Sequence, residues 1–92
     1  MDKLEKLEMM DKILREFEDL RNSQTSVLKK ISKIEADNIN LGVSLLEKKL
    51  PDMWQNVDSN LSLVTSLEEE FQAYRDKFYA DNNLKAMQDN AE

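Results

Sequence analysis

The sequence predicts an all-α fold of two long helices with coiled-coil-like heptad stripes, covering about residues 2–45 and 51–79. Two observations lead to this prediction. The 92 residues include one glycine and one proline, Gly42 and Pro51, whereas a sheet of this length needs many more turn residues. Apolar residues also recur at alternating steps of three and four, which is the repeat of helices that pack along a seam. The chain is therefore expected to be kinked or hairpinned near Gly42–Pro51.

The first ladder of such steps contains eleven positions, nine of them apolar: Met10, Ile13, Phe17, Leu20, Gln24, Val27, Ile31, Ile34, Asn38, Leu41 and Leu45. Asp2, followed three residues later by Glu5, has the spacing of a capping box and predicts the start of this helix. A continuous helix over the ladder would be about 54 Å long and could not cover its own apolar stripe. Something else must therefore pack against it.

A second ladder has eight apolar residues among nine positions: Leu50, Met53, Val57, Asn60, Val64, Leu67, Phe71, Tyr74 and Phe78, with Trp54 and Leu61 widening the stripe. It is out of phase with the first ladder, because Leu45 and Leu50 are five residues apart. Proline suits the first position of a helix, so Pro51 predicts a second helix over about 51–79. Residues 1–80 are expected to form one helical unit, followed by a frayed tail over 81–92.

Three amides interrupt the ladders: Gln24, Asn38 and Asn60. A buried amide in a coiled-coil seam lowers stability but disfavours wrong registers, so these residues are candidates for fixing the register. The alternative is that they mark weak points in the helix, because poor helix formers surround both Gln24 and Asn38.

The apolar ladder residues are the candidate interface with other proteins. Trp54, Phe71, Tyr74 and Phe78 are the candidate hot spots, since rigid rings bury much area for little loss of entropy. Packing of the two ladders against each other within the chain is the alternative. The stripes are long and the chain is short, which favours contacts between chains. The predicted interface residues are Met10, Ile13, Phe17, Leu20, Val27, Ile31, Ile34, Leu41, Leu45, Met53, Trp54, Val57, Val64, Leu67, Phe71, Tyr74 and Phe78.

The composition argues against catalysis and against a bound metal or cofactor. The chain has no histidine and no cysteine, which removes the common metal ligands and the usual nucleophile and base pairs. Glu68, Glu69 and Glu70 are consecutive and point in different directions on a helix, so they cannot converge on one cation. With one glycine there is no glycine-rich phosphate loop. The sequence predicts a protein that is not an enzyme.

Charge is distributed unevenly along the chain. The net charge is −6, and residues 51–92 carry all of it, whereas residues 21–50 have six bases against three acids. The basic middle and the acidic end could attract each other within a hairpin or between subunits, or both could be solvated faces. No concentrated basic surface with stacking aromatics is present, which argues against nucleic acid as a partner. No apolar run approaches the ~20 residues of a membrane span, and the N-terminus is unlike a signal peptide, so a cytoplasmic protein is expected.

A further set of residues carries a family resemblance over about residues 11–78. It consists of Lys12-Ile13-Leu14 with Phe17 and Leu20, then Lys29, Ile31 and Asn38, then Pro51 with Met53 and Gln55, and Val64 with Leu67-Glu68 and Ala73-Tyr74. In these residues the chain resembles subunit 2 of the complex for biogenesis of lysosome-related organelles, which also belongs to a lysosome-positioning complex. Gly42 and Trp54 depart from the pattern. The resemblance implies an elongated hetero-oligomer of helical subunits in endosome–lysosome trafficking, with no catalysis of its own.

The leading hypothesis is therefore an assembly or scaffold subunit whose partners are other helical subunits, in a hetero-oligomer or else a homo-oligomer. A coiled-coil subunit of the kinetochore or spindle type is one alternative. A small bacterial helical partner or targeting protein of a secreted toxin is another, although Gln55 and Asn56 follow Trp54 where a Trp-x-Gly turn is typical. An acidic stoichiometric inhibitor is the last, disfavoured because its acids alternate with a full apolar ladder.

Overall fold

The fold is an antiparallel helical hairpin in a computed structural model that describes residues 1–90. Helix α1 covers Lys3–Leu41, α2 covers Ser44–Asp81, and a short α3 covers Leu84–Asn90. Helices α1 and α2 pack along their whole length, and the molecule measures 65 × 20 × 17 Å. No strand occurs among the described residues. The all-α prediction is confirmed, and of the two arrangements left open near Gly42–Pro51 the chain adopts the hairpin.

Helix α1 begins where the capping pattern predicts. Asp2 is its N-cap, and its Oδ1 accepts a hydrogen bond of 2.8 Å from the backbone N–H of Glu5. This bond lowers the pKa of the Asp2 carboxyl. Because the folded-state pKa is depressed, the stabilisation is present at neutral pH and is lost as the pH falls through that lowered value.

The chain reverses direction within two residues, Gly42 and Val43. Gly42 has φ 70° and ψ 31°, the left-handed conformation that ends many helices, and its N–H donates to the carbonyl of Asn38 at 2.7 Å. The buried Asn38 side chain then holds Val43 by two bonds. Its Nδ2 donates to the Val43 carbonyl at 3.1 Å, and the Val43 N–H donates to its Oδ1 at 3.0 Å. Helix α1 therefore ends at Leu41, earlier than the predicted residue 45.

Helix α2 begins at Ser44, so the prediction that it starts at Pro51 is wrong. Pro51 lies inside the helix and has no N–H to donate to the carbonyl of Glu47. Both residues are exposed, so water can satisfy that carbonyl. The neighbouring Leu50 is buried against α1, and this packing outweighs the local cost of the proline.

One continuous seam joins α1 to α2, and its residues follow the three–four spacing on both helices. Each helix contributes two rows, and every member is buried or half-buried. Row one of α1 is Met10, Phe17, Gln24, Ile31 and Asn38, and row two is Leu7, Leu14, Arg21, Leu28 and Glu35. Row one of α2 is Leu50, Val57, Val64, Phe71 and Phe78, and row two is Trp54, Leu61, Glu68 and Arg75, continued by the C-cap residue Asn82.

The open end of the hairpin, away from the turn, carries α3. Helix α2 ends at Asp81, close to the predicted end at residue 79, and α3 contacts both long helices. Leu84, the first residue of α3, is fully buried, as is Leu7 near the start of α1. Where the sequence predicts a frayed tail over 81–92, the structure thus has a short packed helix. Residues 91–92 of that tail lie outside the described residues.

Replacing Asn38 by alanine is expected to lower the free energy of unfolding by about 1–3 kcal/mol. The change removes both bonds to Val43 and leaves its N–H without a partner at the turn, while its carbonyl keeps the bond from the Glu47 N–H. Urea unfolding followed by circular dichroism measures the loss. Asn22→Ala, an exposed amide of the same helix, is the matched control. An equal effect of the two changes would contradict the role assigned to Asn38.

Candidate protein-interaction face

The seam has two distinct edges, and one contact across the seam locates each of them. Phe17 and Phe71, both in row one, meet edge to face with ring centroids 6.1 Å apart. Arg21 and Glu68, both in row two, form an ion pair with Nε and Oε2 3.1 Å apart. Like rows therefore face each other across the seam, with row one along one edge and row two along the other.

A charged cluster lies beside row two near the open end. Arg75 makes a bidentate bond to Asp11, with Nε 2.8 Å from Oδ1 and Nη2 3.4 Å from Oδ2. Its guanidinium also lies 5.0 Å from the ring centroid of Tyr79 and 3.3 Å from Asp76. The hydrogen bond to Asp11 raises the pKa of Arg75 above its usual value, against the opposing effect of burial. This edge of the hairpin is consequently polar and internally paired.

A third row of residues, apolar except for Asn60, lies beyond row one on both helices, and we call it the open face. Its members are Ile13, Leu20, Val27, Ile34 and Leu41 on α1, with Met53, Asn60, Leu67 and Tyr74 on α2. On a helix, a residue three positions later lies about 60° to one side and a residue four positions later about 40° to the other. On each helix the open face is three residues after row one, and row two is four residues after it.

The two halves of the open face lie on the same side of the hairpin. Row one of α1 meets row one of α2 across the seam. On each helix the open-face residues lie beside row one, on the side away from row two. The open-face residues of the two helices must therefore be neighbours. The stacked rings of Phe71 and Tyr74, 6.2 Å apart, show this adjacency directly on α2. The result is one broad surface, rich in aliphatic side chains, that extends from Ile13 and Tyr74 toward the turn.

The open face is exposed although it is apolar. The exposed fraction is 40% at Val27 and rises to 61% at Tyr74 and 70% at Leu41, and Ile13 alone is half-buried. In contrast, Ile31 in row one is 4% exposed. Apolar patches of this extent on a protein surface mark sites of interaction with other molecules.

The structure divides the seventeen predicted interface residues between these two surfaces. Eight lie in the seam within the chain: Met10, Phe17, Ile31, Trp54, Val57, Val64, Phe71 and Phe78. Eight lie on the open face: Ile13, Leu20, Val27, Ile34, Leu41, Met53, Leu67 and Tyr74. Leu45 is exposed next to the turn and belongs to neither surface. Packing between the two ladders, the alternative considered for the aromatic residues, thus applies to three of the four candidate hot spots and leaves Tyr74 exposed.

The three amides occupy three different environments. Gln24 is half-buried in row one, and Asn38 is buried and bonded to the turn. Asn60 is exposed in the middle of the open face, on the α2 side. Only Asn38 has hydrogen bonds that tie one helix to the start of the other.

The α1 half of row two is not among the predicted interface residues, whereas Trp54 and Leu61 of the α2 half are predicted to widen the stripe. On α1 the row from Leu7 through Leu14, Arg21 and Leu28 repeats every seven residues. Charged residues interrupt it, which hides it from a purely apolar pattern. The signal that could have revealed it is the opposite charge of Arg21 and Glu68.

The described part of the chain shows no group of acidic side chains placed to hold a metal ion. None of its helices combines the length and apolarity that crossing a membrane requires. A groove of about 170 Å³ lies beside the turn, and its lining includes the seam residues Glu35, Asn38 and Leu50. The open face is therefore the surface feature with the clearest physical reason to bind something.

The fold and this surface define the class: an elongated antiparallel α-helical hairpin with a second, uncovered apolar face. Comparison with protein-family models, curated proteins and solved structures finds no match for this chain.

Substitutions four residues apart on α1 should separate the two surfaces. Ile31→Asp places an unpaired charge in the seam and is expected to cost more than about 3 kcal/mol of unfolding free energy. Val27→Asp on the open face is expected to change the stability of the single hairpin by less than about 0.5 kcal/mol. Urea unfolding of both variants at low protein concentration tests this. Similar losses for the two would show that Val27 is not free in the hairpin.

Proposed function

We propose that this protein is a non-catalytic assembly subunit that contributes two helices to a larger helical bundle completed by other polypeptide chains. The observation that supports this proposal is the open face. Each long helix carries three rows that face inward or toward a neighbour, but the hairpin covers only two of them. A helix with so wide an apolar stripe needs a second neighbour to remove the third row from water.

The dimensions of the molecule support the same proposal. Its radius of gyration is 20.2 Å, whereas a compact chain of this length has a value of about 12 Å. Its accessible surface is 6909 Å², about 1,400 Å² more than the roughly 5,500 Å² of a compact monomer of 10.8 kDa. A single hairpin thus has a thin core and a large surface, which are properties of a component rather than of a self-sufficient globule.

The family resemblance gives the proposal its cellular setting. Subunit 2 of the complex for biogenesis of lysosome-related organelles works among other elongated helical subunits, and the residues that resemble it span both long helices. We therefore propose a cytoplasmic, helical hetero-oligomer at endosomes or lysosomes as the first assembly to examine. The open face is the surface through which the chain would pair with a neighbouring subunit of that assembly.

The test is the recovery of partner subunits from the native cell with a tagged chain. Leu20→Asp combined with Leu67→Asp places two charges on the open face and is expected to reduce the recovered partners at least tenfold. The control, Asn22→Asp with Ser62→Asp, adds the same charge at exposed positions turned away from that face. Mass spectrometry of the bound proteins gives the comparison. Equal recovery with both double variants would contradict the proposal.

A further inference from the structure

We propose that the occupant of the open face is a second copy of this chain, so that two hairpins form a four-helix bundle with both turns at the same end. This inference rests on the proposed function and names the chain that completes the bundle. Every copy of the chain carries this apolar face, with the same length and the same spacing of rows. Two copies placed face to face therefore have matching rows. Two-fold pairing through one shared patch is the commonest form of protein oligomer.

Two arrangements bring one open face onto another. A two-fold axis parallel to the helices places each α1 over the α2 of the other copy and keeps the turns together. A two-fold axis across the helices places α1 over α1 and α2 over α2, with the turns at opposite ends. The apolar rows meet in both arrangements, so the charges beside them decide which arrangement is more stable.

The charges that border the open face favour the arrangement with the turns together. Arg21 and Glu68 do not count here, because they pair with each other at the opposite edge of the hairpin. The bordering charges lie three positions after a member of the open face or four positions before one: Glu16, Lys30 and Asp37 on α1, and Lys49, Glu70 and Lys77 on α2. With the turns at opposite ends, Glu16 lies near the height of Asp37 in the other copy and Lys49 lies near the height of Lys77. Both are like-charge pairs, which repel each other.

Residues that border the open face refine this picture. With the turns together, Asp37 of one copy lies near the height of Lys49 in the other, as an opposite-charge pair. Glu16 lies near the height of Glu70 and forms one like-charge pair, because Phe17 and Phe71 are level in the hairpin. All four are exposed in the single hairpin, so a second copy can reach them. Because the dimer is two-fold symmetric, each of these two pairs occurs twice in it.

The available area is sufficient for a stable dimer. A standard protein interface buries about 800 Å² on each partner. The open face runs from Ile13 to Leu41, about 42 Å at ~1.5 Å per residue, along a molecule that is 20 Å wide. Its footprint is therefore on the order of 800 Å², which is the size that such an interface needs.

Sedimentation equilibrium of the purified chain tests the occupant. We expect twice the mass of 10.8 kDa at micromolar concentration, with dissociation on dilution. Leu20→Asp with Leu67→Asp should raise the dissociation constant at least a hundredfold, and Asn22→Asp with Ser62→Asp should leave it within about threefold. Circular dichroism verifies that each variant remains helical. A wild-type chain that is monomeric at all accessible concentrations overturns the inference.

A charge reversal next to the open face tests the orientation without disturbing the seam. Glu70→Lys replaces two like-charge pairs by two opposite-charge pairs and should tighten the dimer about fivefold at low salt. Glu69→Lys changes the net charge equally but lies on the far side of α2, and is the control. A tightening that is equal for both variants, or absent for Glu70→Lys, overturns the arrangement with the turns together.

A distance measurement gives a second reading of the orientation. The chain has no cysteine, so Lys48→Cys near the turn accepts a single spin label in each copy. Turns at the same end place the two labels about 30 Å apart or closer, since neighbouring helices are separated by 8–10 Å. Turns at opposite ends place them about 45 Å apart along the helices, at ~1.5 Å per residue. The longer distance overturns the inference.

These outcomes can be separated from failure of the proposed function. A monomeric purified chain, together with loss of cellular partners from the open-face variant, overturns only the second copy as occupant and retains the assembly role. A dimer that recovers no other subunit supports the second copy as the whole partner. If the open-face variant changes neither the mass nor the recovered proteins, both proposals fail.

Discussion

The hydrogen bonds between Asn38 and Val43 are the constraint on which the hairpin depends. A two-residue connection leaves the second helix little freedom in where it begins, and the amide fixes Val43 through both of its backbone groups. Once α2 starts at Ser44, every later residue has a set height against α1. Phe17 meets Phe71 and Arg21 meets Glu68 at positions more than forty residues apart in sequence. The turn therefore sets the register between α1 and α2 along the whole seam.

The wide apolar stripe of each helix accounts for both halves of the architecture. Row one contributes to both surfaces, because one side of it is buried in the seam and the other side borders the open face. The hairpin therefore obtains its stability from rows one and two, and leaves the third row for association. A polar edge, built on Arg75 and Asp11, closes the opposite side and makes the molecule two-sided. Because only one side of the hairpin is apolar, a partner is expected to dock on that side and not on the polar one.

Much of the fold follows from the sequence, and the exceptions have physical reasons. The helical class, the capped start at Asp2 and a break near Gly42–Pro51 were predictable from spacing and residue type, whereas the choice of a hairpin over a kink was not. The start of α2 was not, because a proline in mid-helix is tolerated when packing of its neighbour Leu50 outweighs one missing hydrogen bond. The sequence also does not show which apolar rows lie in the seam and which lie on the open face. Periodicity shows which side chains share a stripe, but the partner helix decides which part of that stripe is covered.

The change of phase between the two ladders also opposes exchange of whole helices between copies. If Gly42 and Val43 took helical angles, α1 and α2 would merge into one rod of about 80 residues, roughly 120 Å long. Row one would then pass from Asn38 to Leu50 in twelve residues, which turns it about 120° around the rod. The two seam halves would face different sides, so two straight rods side by side could not rebuild both of them. The phase of the rows, together with the left-handed conformation of Gly42, therefore keeps both helices of a chain in its own hairpin.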